Sequence, residues 1–208
     1  MIIWIMGSMA SGKTTLNKNL ISTLSYDGHE HGCDIVKGTE NGVNFMYSRI
    51  GRVASIGQMK DGVATCGIDP VMGWLKTEGV ELSIRKANED CEFVIVEGAQ
   101  AAYTWFDFVE KIDENFLLVH LNISYDENIK RLKLRQYKKL HNMYPDNNEH
   151  LLLSISDRNY DSVIGKNKQY MNIWNKVQDR VLNKIQIDAL NSPEQIEMEV
   201  LNKILSLS

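Results

Sequence analysis

An α/β fold, with a parallel sheet and helices on both of its faces, is predicted by three observations in this chain of 208 residues. Three short, continuous apolar runs, Ile2–Met6, Phe93–Val96 and Phe116–Leu121, have the composition of strands buried on both faces. Helical periodicity alternates with these runs, which is the pattern of parallel strands joined by crossover helices. The first run passes directly into Gly7-Ser8-Met9-Ala10-Ser11-Gly12-Lys13-Thr14, an instance of Gly-x-x-x-x-Gly-Lys-[Ser/Thr]. A helix comes next, with Leu16, Leu20, Ile21 and Leu24 on one face. Strand, glycine loop and helix together form the setting in which that motif cradles phosphate.

The remaining elements are taken in chain order. Ser25-Tyr26-Asp27-Gly28 reads as a turn. Asp34–Lys37 and Val43–Tyr47 read as strands joined by Asn41-Gly42, a hairpin dipeptide, and Arg52–Ile56 as a third strand. This stretch, about residues 33–58, is therefore expected as a β-rich insertion after the first helix. Lys60-Asp61-Gly62 and Gly67-Ile68-Asp69-Pro70 punctuate a loop, and helical pattern returns at Val71–Leu75 and Val80–Asn88. The second apolar run ends in Glu97-Gly98, and the third runs into Asn122. A long helix begins near Asp126, and Asn142–Glu149 is a polar loop containing proline, so a helical lid is expected over about residues 126–150. Lys166–Asn183 places Tyr170, Ile173, Trp174, Val177 and Val181 on one helical face. Lys184–Ile187 is a last strand, and Ser192-Pro193-Glu194 opens a terminal helix with Ser at N-cap and Pro at N1. No repeat or linker divides the chain, so a single domain over 1–208 is expected.

Bulk properties narrow the function classes. The net charge of −4 argues against a protein that coats nucleic acid by charge alone. No apolar run approaches the roughly 18–20 residues of a membrane span, and no signal peptide precedes the glycine loop. Cys33, Cys66 and Cys91 are odd in number and widely spaced, which fits neither a disulfide framework nor a zinc site. A cytoplasmic setting is the expectation.

In the loop itself, Gly7 and Gly12 free the backbone so that its N–H groups face phosphate oxygens, and the helix adds its positive end. Gly7 through Thr15 are the candidate triphosphate-binding residues. Lys13 would reach the β- and γ-phosphates, and Thr14 would supply a hydroxyl to Mg²⁺. Glu97, at the end of a buried strand, can hold the metal through water, accept a proton, or simply cap the next helix. Asp69 stands before Pro70, where it can act as a base or as a helix N-cap. Arg131 and Arg135 share a face of the basic stretch Lys130–Lys139, which reads as a lid that neutralises transferred charge or as a solvated helix face. Arg158, Lys166 and Lys168 could add to it. His120 reads as a satisfied core residue and the tryptophans as packing. Tyr103-Thr104-Trp105-Phe106 reads as core or as a base-stacking surface. A guanine-nucleotide switch is disfavoured, because the nearest match to Asn-Lys-x-Asp, Asn167-Lys168-Gln169-Tyr170, lacks the acid.

With the loop at Gly7–Thr14, the strand-end Glu97 and the arginines after Asn122-Ile123-Ser124, the chain resembles the P-loop kinases of nucleosides and nucleotides. It is also similar, over Ile56-Gly57, Cys66-Gly67-Ile68-Asp69 and Val96-Glu97-Gly98, to bacteriophage P-loop kinases that phosphorylate 5-hydroxymethyluracil in DNA. It departs from that pattern in lacking a second glycine beside Gly67 and in carrying Gln58 after Gly57. The resemblance implies a parallel-sheet P-loop kinase fold and transfer of the γ-phosphoryl group of ATP, with Mg²⁺, to an acceptor hydroxyl. The closer likeness implies the hydroxymethyl group of the modified base in DNA as acceptor, with Asp69 as general base, the insertion receiving a flipped base, and the host cytoplasm as location. Free nucleosides or nucleoside monophosphates are the alternative acceptors. A non-catalytic nucleotide-binding module is the alternative of another class. ATP and GTP both remain open as donors.

Overall fold

The structure, a computed structural model, describes residues 1–60, 63–68, 71–98, 109, 111–112, 116–143 and 161–207. Asp69, Tyr103–Phe106, Arg158 and the polar stretch after residue 143 lie outside the described residues. Nine strands are described: β1 (Ile2–Gly7), β2 (Cys33–Glu40), β3 (Val43–Ile50), β4 (Val53–Ile56), β5 (Gln58–Lys60), β6 (Val63–Cys66), β7 (Phe93–Glu97), β8 (Leu117–Asn122) and β9 (Lys184–Asp188). The long helices are α1 (Lys13–Ser25), α2 (Met72–Asp90), α3 (Tyr125–Met143), α4 (Asp161–Val177) and α5 (Pro193–Leu205).

Seven strands form one sheet in the order β2-β3-β4-β7-β1-β8-β9. From β4 to β9 every neighbouring pair is parallel, whereas β3 is antiparallel to both β2 and β4. β1 lies between β7 and β8, with Ile5 in register with Glu97 on one side and Val119 on the other. The chain crosses from one side of β1 to the other between β7 and β8. The end of β1 is thus a topological switch point, where a crevice opens outside the strand ends of such sheets.

Alternation along the strands divides the core into two layers. Trp4, Met6, Ile56, Val94, Val96 and Leu118 pack with Leu75, Val80 and Ile84 of α2 and with Tyr170, Trp174 and Val177 of α4. Ile3, Ile5, Ile95, Val119 and Leu121 pack with Leu16, Leu20 and Leu24 of α1 and with Ile196, Val200 and Ile204 of α5. Both faces of β1 are therefore covered, and all six of its residues are buried. That double burial is why Ile2–Met6 is continuously apolar rather than alternating.

The β-rich stretch after α1 is present and joins the central sheet. β4 is an inner strand, and the β2–β3 hairpin extends the edge. Asn41 (φ 51°) and Gly42 (φ 81°) both have positive φ, as a two-residue hairpin turn matched to strand twist requires. The hairpin is tied to α2 by the Ser83 hydroxyl, which accepts from the Met46 N–H at 2.9 Å, and by the Tyr47 hydroxyl, which donates to Asp90. A Cβ at Gly79 would lie 2.5 Å from the Asn44 carbonyl oxygen, so α2 and β3 meet backbone to backbone there.

Several boundaries differ from expectation. The β-rich stretch continues past residue 58, because β5 and β6 pair antiparallel in place of the expected loop. Strands of three and four residues carry too little apolar pattern to be recognised, although Asp61-Gly62 between them is a hairpin dipeptide by composition. The two helical stretches around Val71–Leu75 and Val80–Asn88 run together as α2, with a break at Lys76 (φ 59°, ψ −179°). α4 begins before Lys166 and ends at Val177, and Val181, expected on its face, is buried beyond the helix end. α3 runs through Asn142 and Met143, which the residue pattern assigns to a loop.

α5 starts as expected. Ser192 Oγ accepts from the Gln195 N–H at 3.2 Å, and Gln195 Oε1 accepts from the Ser192 N–H at 2.9 Å. Together they form a capping box, with Pro193 in the first turn. Ser192→Ala is expected to lower unfolding free energy by about 1 kcal/mol, read from the urea midpoint, with Ser192→Asn close to wild type.

Candidate functional site

The loop between β1 and α1 turns under tight local constraints. Gly7 has φ 152°, and a Cβ there would lie 2.7 Å from Ser11 Oγ and 2.8 Å from the Leu121 carbonyl oxygen. Gly12 has φ 101° and occupies the N-cap position of α1 without a side-chain cap, and Ala10 also has positive φ, 60°. Ser11 donates its N–H to the Ser8 carbonyl at 3.3 Å, which closes the loop. The start of α1 is thus left for an external acceptor, since an N-cap glycine offers the first helical N–H groups no oxygen. Among the described residues, buried Ser11 Oγ has no hydrogen-bond partner, an orphan polar atom inside the cradle.

Lys13 is nearly buried, 9 % exposed, and lies against the loop. Its Nζ donates to the Gly7 carbonyl at 2.9 Å and to the Ser8 carbonyl at 2.8 Å. Thr14 Oγ1 donates to Glu97 Oε1 at 3.0 Å, and Glu97 is 2 % exposed at the end of β7. The donors around this point are oxygens, and among the described residues no three His, Cys, Asp or Glu side chains cluster as a metal cage. A hydroxyl and one carboxylate suit Mg²⁺, which keeps several waters and takes few protein ligands. The glycine cradle with its orphan hydroxyl fits a polyphosphate. Both groups implied by the loop sequence therefore fit the residues present.

The segment leading toward Asp69 reaches the same point. The Ile68 N–H donates to the Glu97 carbonyl at 3.0 Å, and Gly67 packs so closely that a Cβ there would lie 1.9 Å from that oxygen. Ile56 is in register with Val96, so Ile56-Gly57, Gly67-Ile68 and Val96-Glu97 converge at one corner of the sheet.

On the opposite side of the loop lies a cleft of about 310 Å³, lined by Ser11, Gly12, Thr15, Arg131, Ala189 and Asn191 among others. Arg131 is held there by two bonds. Its Nη2 donates to the Ala189 carbonyl at 2.7 Å, and its Nε donates to Glu127 Oε1 at 3.2 Å. Arg135, one turn later on α3, is exposed. The two arginines expected to act together thus occupy different settings. Asn128, fully buried on α3, donates to the Met9 carbonyl and binds the helix to the loop. The segment after β9 forms the far wall of the cleft, where Ala189 donates its N–H to the Asn122 carbonyl at 2.8 Å. Neither Asn128 nor the Ala189–Asn191 wall carries a motif, so sequence reasoning passes over both. Their only sequence signals are that Asn128 lies one turn before Arg131 and that Ala189 directly follows a strand.

His120 is buried as expected, but it is not satisfied. Its Nδ1 has no partner among the described residues, and its ring stacks on Trp174 with centroids 4.9 Å apart. It lines a small cavity with Ser8 and Tyr170, about 20 Å³, room for one water. His31 is paired with Asp27 at 3.0 Å on the surface. Trp4 and Trp174 are core, whereas Trp74 is 49 % exposed.

No protein-family model matches the chain, and no curated protein matches its sequence. Among solved structures it is similar to deoxyadenosine kinase from M. mycoides with dCMP and a flexible dCDP bound, at 13 % identity over 100 % of both chains, TM-score 0.50. It is also similar to the YorR protein of Bacillus subtilis in complex with phosphorylated GDP, at 12 % identity over 98 % of this chain and 95 % of that one, TM-score 0.52. The likeness is one of fold. The described elements have an α/β P-loop kinase fold.

Burial holds His120 neutral and pushes its pKa down to about 4 from an ordinary value near 6.5. Between those two values the unfolded chain binds more protons than the folded one, so stability falls as pH falls through that window. Lowering the pH from 7 to 5 is expected to cost about 2 kcal/mol of unfolding free energy through this residue. His120→Phe should flatten that part of the pH dependence in urea titrations.

Proposed function

We propose that this chain is a kinase that transfers the γ-phosphoryl group of a nucleoside triphosphate, ATP by preference, to a nucleoside or nucleotide. The observation that carries this reading is the 3.0 Å contact between Thr14 Oγ1 and Glu97 Oε1. It joins the end of the phosphate loop to a strand-end carboxylate, and metal-assisted phosphoryl transfer uses this pair.

In this reading the loop N–H groups of Gly7–Thr15 and the Lys13 ammonium hold the donor's phosphates. Thr14 and Glu97 would hold Mg²⁺, which would neutralise phosphate charge. The oxygen–phosphorus bond from acceptor to γ-phosphoryl group forms as the bridging bond to the β-phosphate breaks, and the nucleoside diphosphate leaves. The acceptor's proton goes to Asp69. Glu97 is already engaged by Thr14, and Asp69 comes directly after Ile68, which is hydrogen-bonded to Glu97. Arg131 supports a role on the donor side, because its guanidinium is a wall of the cleft that opens beside Ser11 and Gly12. Arg135, exposed on the same helix, is the arginine left to close over developing charge.

Free nucleosides and nucleotides come first as acceptors because the M. mycoides deoxyadenosine kinase and this chain match over their full lengths. The hydroxymethyl group of 5-hydroxymethyluracil in DNA is a second reading. It is favoured by the meeting of Ile56-Gly57, Gly67-Ile68 and Val96-Glu97, three segments of the resemblance, at one corner. It requires extrusion of the base at a cost of roughly a few kcal/mol.

Incubation with γ-labelled ATP and Mg²⁺ against free deoxynucleosides, their monophosphates and duplex DNA containing the modified base separates the readings. Label on the free compounds is expected. Label confined to DNA would establish the second reading, and ATP binding without any transfer would leave only a nucleotide-binding module. On the acceptor that works, Lys13→Ala should reduce kcat/KM by about 10²–10³-fold, roughly 3–4 kcal/mol of transition-state stabilisation. Asp69→Asn should lower kcat with little change in the affinity for ATP.

A further inference from the structure

The face of the loop turned away from the cleft is closed by α4. Lys13 Nζ lies 5.9 Å from the centroid of the Tyr170 ring, within the range of a cation–π contact. Tyr170 is 1 % exposed. One turn further on, Trp174 stacks on His120 of β8, and His120 is in register with Met6, the residue before Gly7. Trp174 thus packs on the β1–β8 pair, whereas Tyr170 is the α4 ring that lies beside the ammonium. A buried ammonium is costly unless its surroundings favour the charge. Here two loop carbonyls and an aromatic ring do so.

We propose that Tyr170 is a positioning residue for Lys13: its ring holds the ammonium within the phosphate loop, so that the cation is in place before the nucleotide arrives. The inference rests on the reading of Gly7–Thr14 as a triphosphate site, and goes beyond it by assigning α4 a part in nucleotide affinity. Pre-ordering matters because a lysine side chain free to leave the loop must be immobilised again at each binding event. The ring acts through its π face, so its contact with the ammonium does not require the hydroxyl.

The test is calorimetric titration of the full chain with ATP and Mg²⁺, alongside thermal unfolding, for wild type and three variants. Tyr170→Phe keeps the ring and should bind ATP within about twofold of wild type. Tyr170→Leu should weaken ATP about tenfold. Trp174→Leu removes a neighbouring core aromatic that does not face Lys13; it should lower the unfolding temperature but leave ATP affinity within about twofold. Three outcomes would overturn the inference: Tyr170→Leu binding as wild type does, Tyr170→Phe as weak as Tyr170→Leu, or Trp174→Leu losing as much affinity as Tyr170→Leu. A wild-type protein that binds no nucleotide would instead remove the underlying reading of the loop.

Discussion

The hydrogen bond between Thr14 and Glu97 depends on sheet register before it depends on either residue. Thr14 stands on the first turn of α1, and Glu97 is the last residue of β7. They meet because β7 is the parallel neighbour of β1 and pairs Glu97 with Ile5. A shift by one residue would turn the carboxylate to the opposite face of the sheet. Core burial on both faces prevents that shift, since Val94 and Val96 belong to one layer and Ile95 to the other. The packing of two apolar layers thus sets the geometry of a polar pair.

Around that pair the loop and Glu97 are held from three directions. α3 reaches it through Asn128 and the Met9 carbonyl, and the Gly67-Ile68 segment presses on the backbone of Glu97. α4 lies against Lys13. These supports come from elements far apart in the chain, and each makes contact through one or two groups. A phosphate-binding site benefits from such anchoring because hydrogen-bond donors fixed in advance need no reorganisation when charge develops. The proposed chemistry is built on this arrangement: the loop and Lys13 on the donor, Glu97 on the metal side, and Asp69 next in the chain.

The basic stretch Lys130–Lys139 shows how a linear pattern divides in space. Arg131 and Arg135 lie four residues apart and share a helical face. Yet Arg131 is drawn inward by Glu127 and the Ala189 carbonyl, while Arg135 remains at the surface. Helical spacing gives direction around the axis. It does not say how far a neighbouring segment reaches along it.

Residue pattern alone was enough to specify the α/β fold, the glycine loop between β1 and α1, most of the strands and helices, and the cap of the last helix. Those features are local: apolar runs, helical periodicity and turn dipeptides act within a few residues of themselves. The same pattern singled out Glu97, because a carboxylate at the end of a buried strand is visible without knowing which strand lies beside it. Long-range packing was needed to make β4 an inner strand, to bring Thr14 to Glu97, and to bury His120 with an unpaired nitrogen. It also placed Ala189, Asn128 and Tyr170 against the loop. Each of these depends on strand order or on contact between distant segments, and an Asn, an Ala or a Tyr in a helix or loop bears no local mark of the partner it will meet.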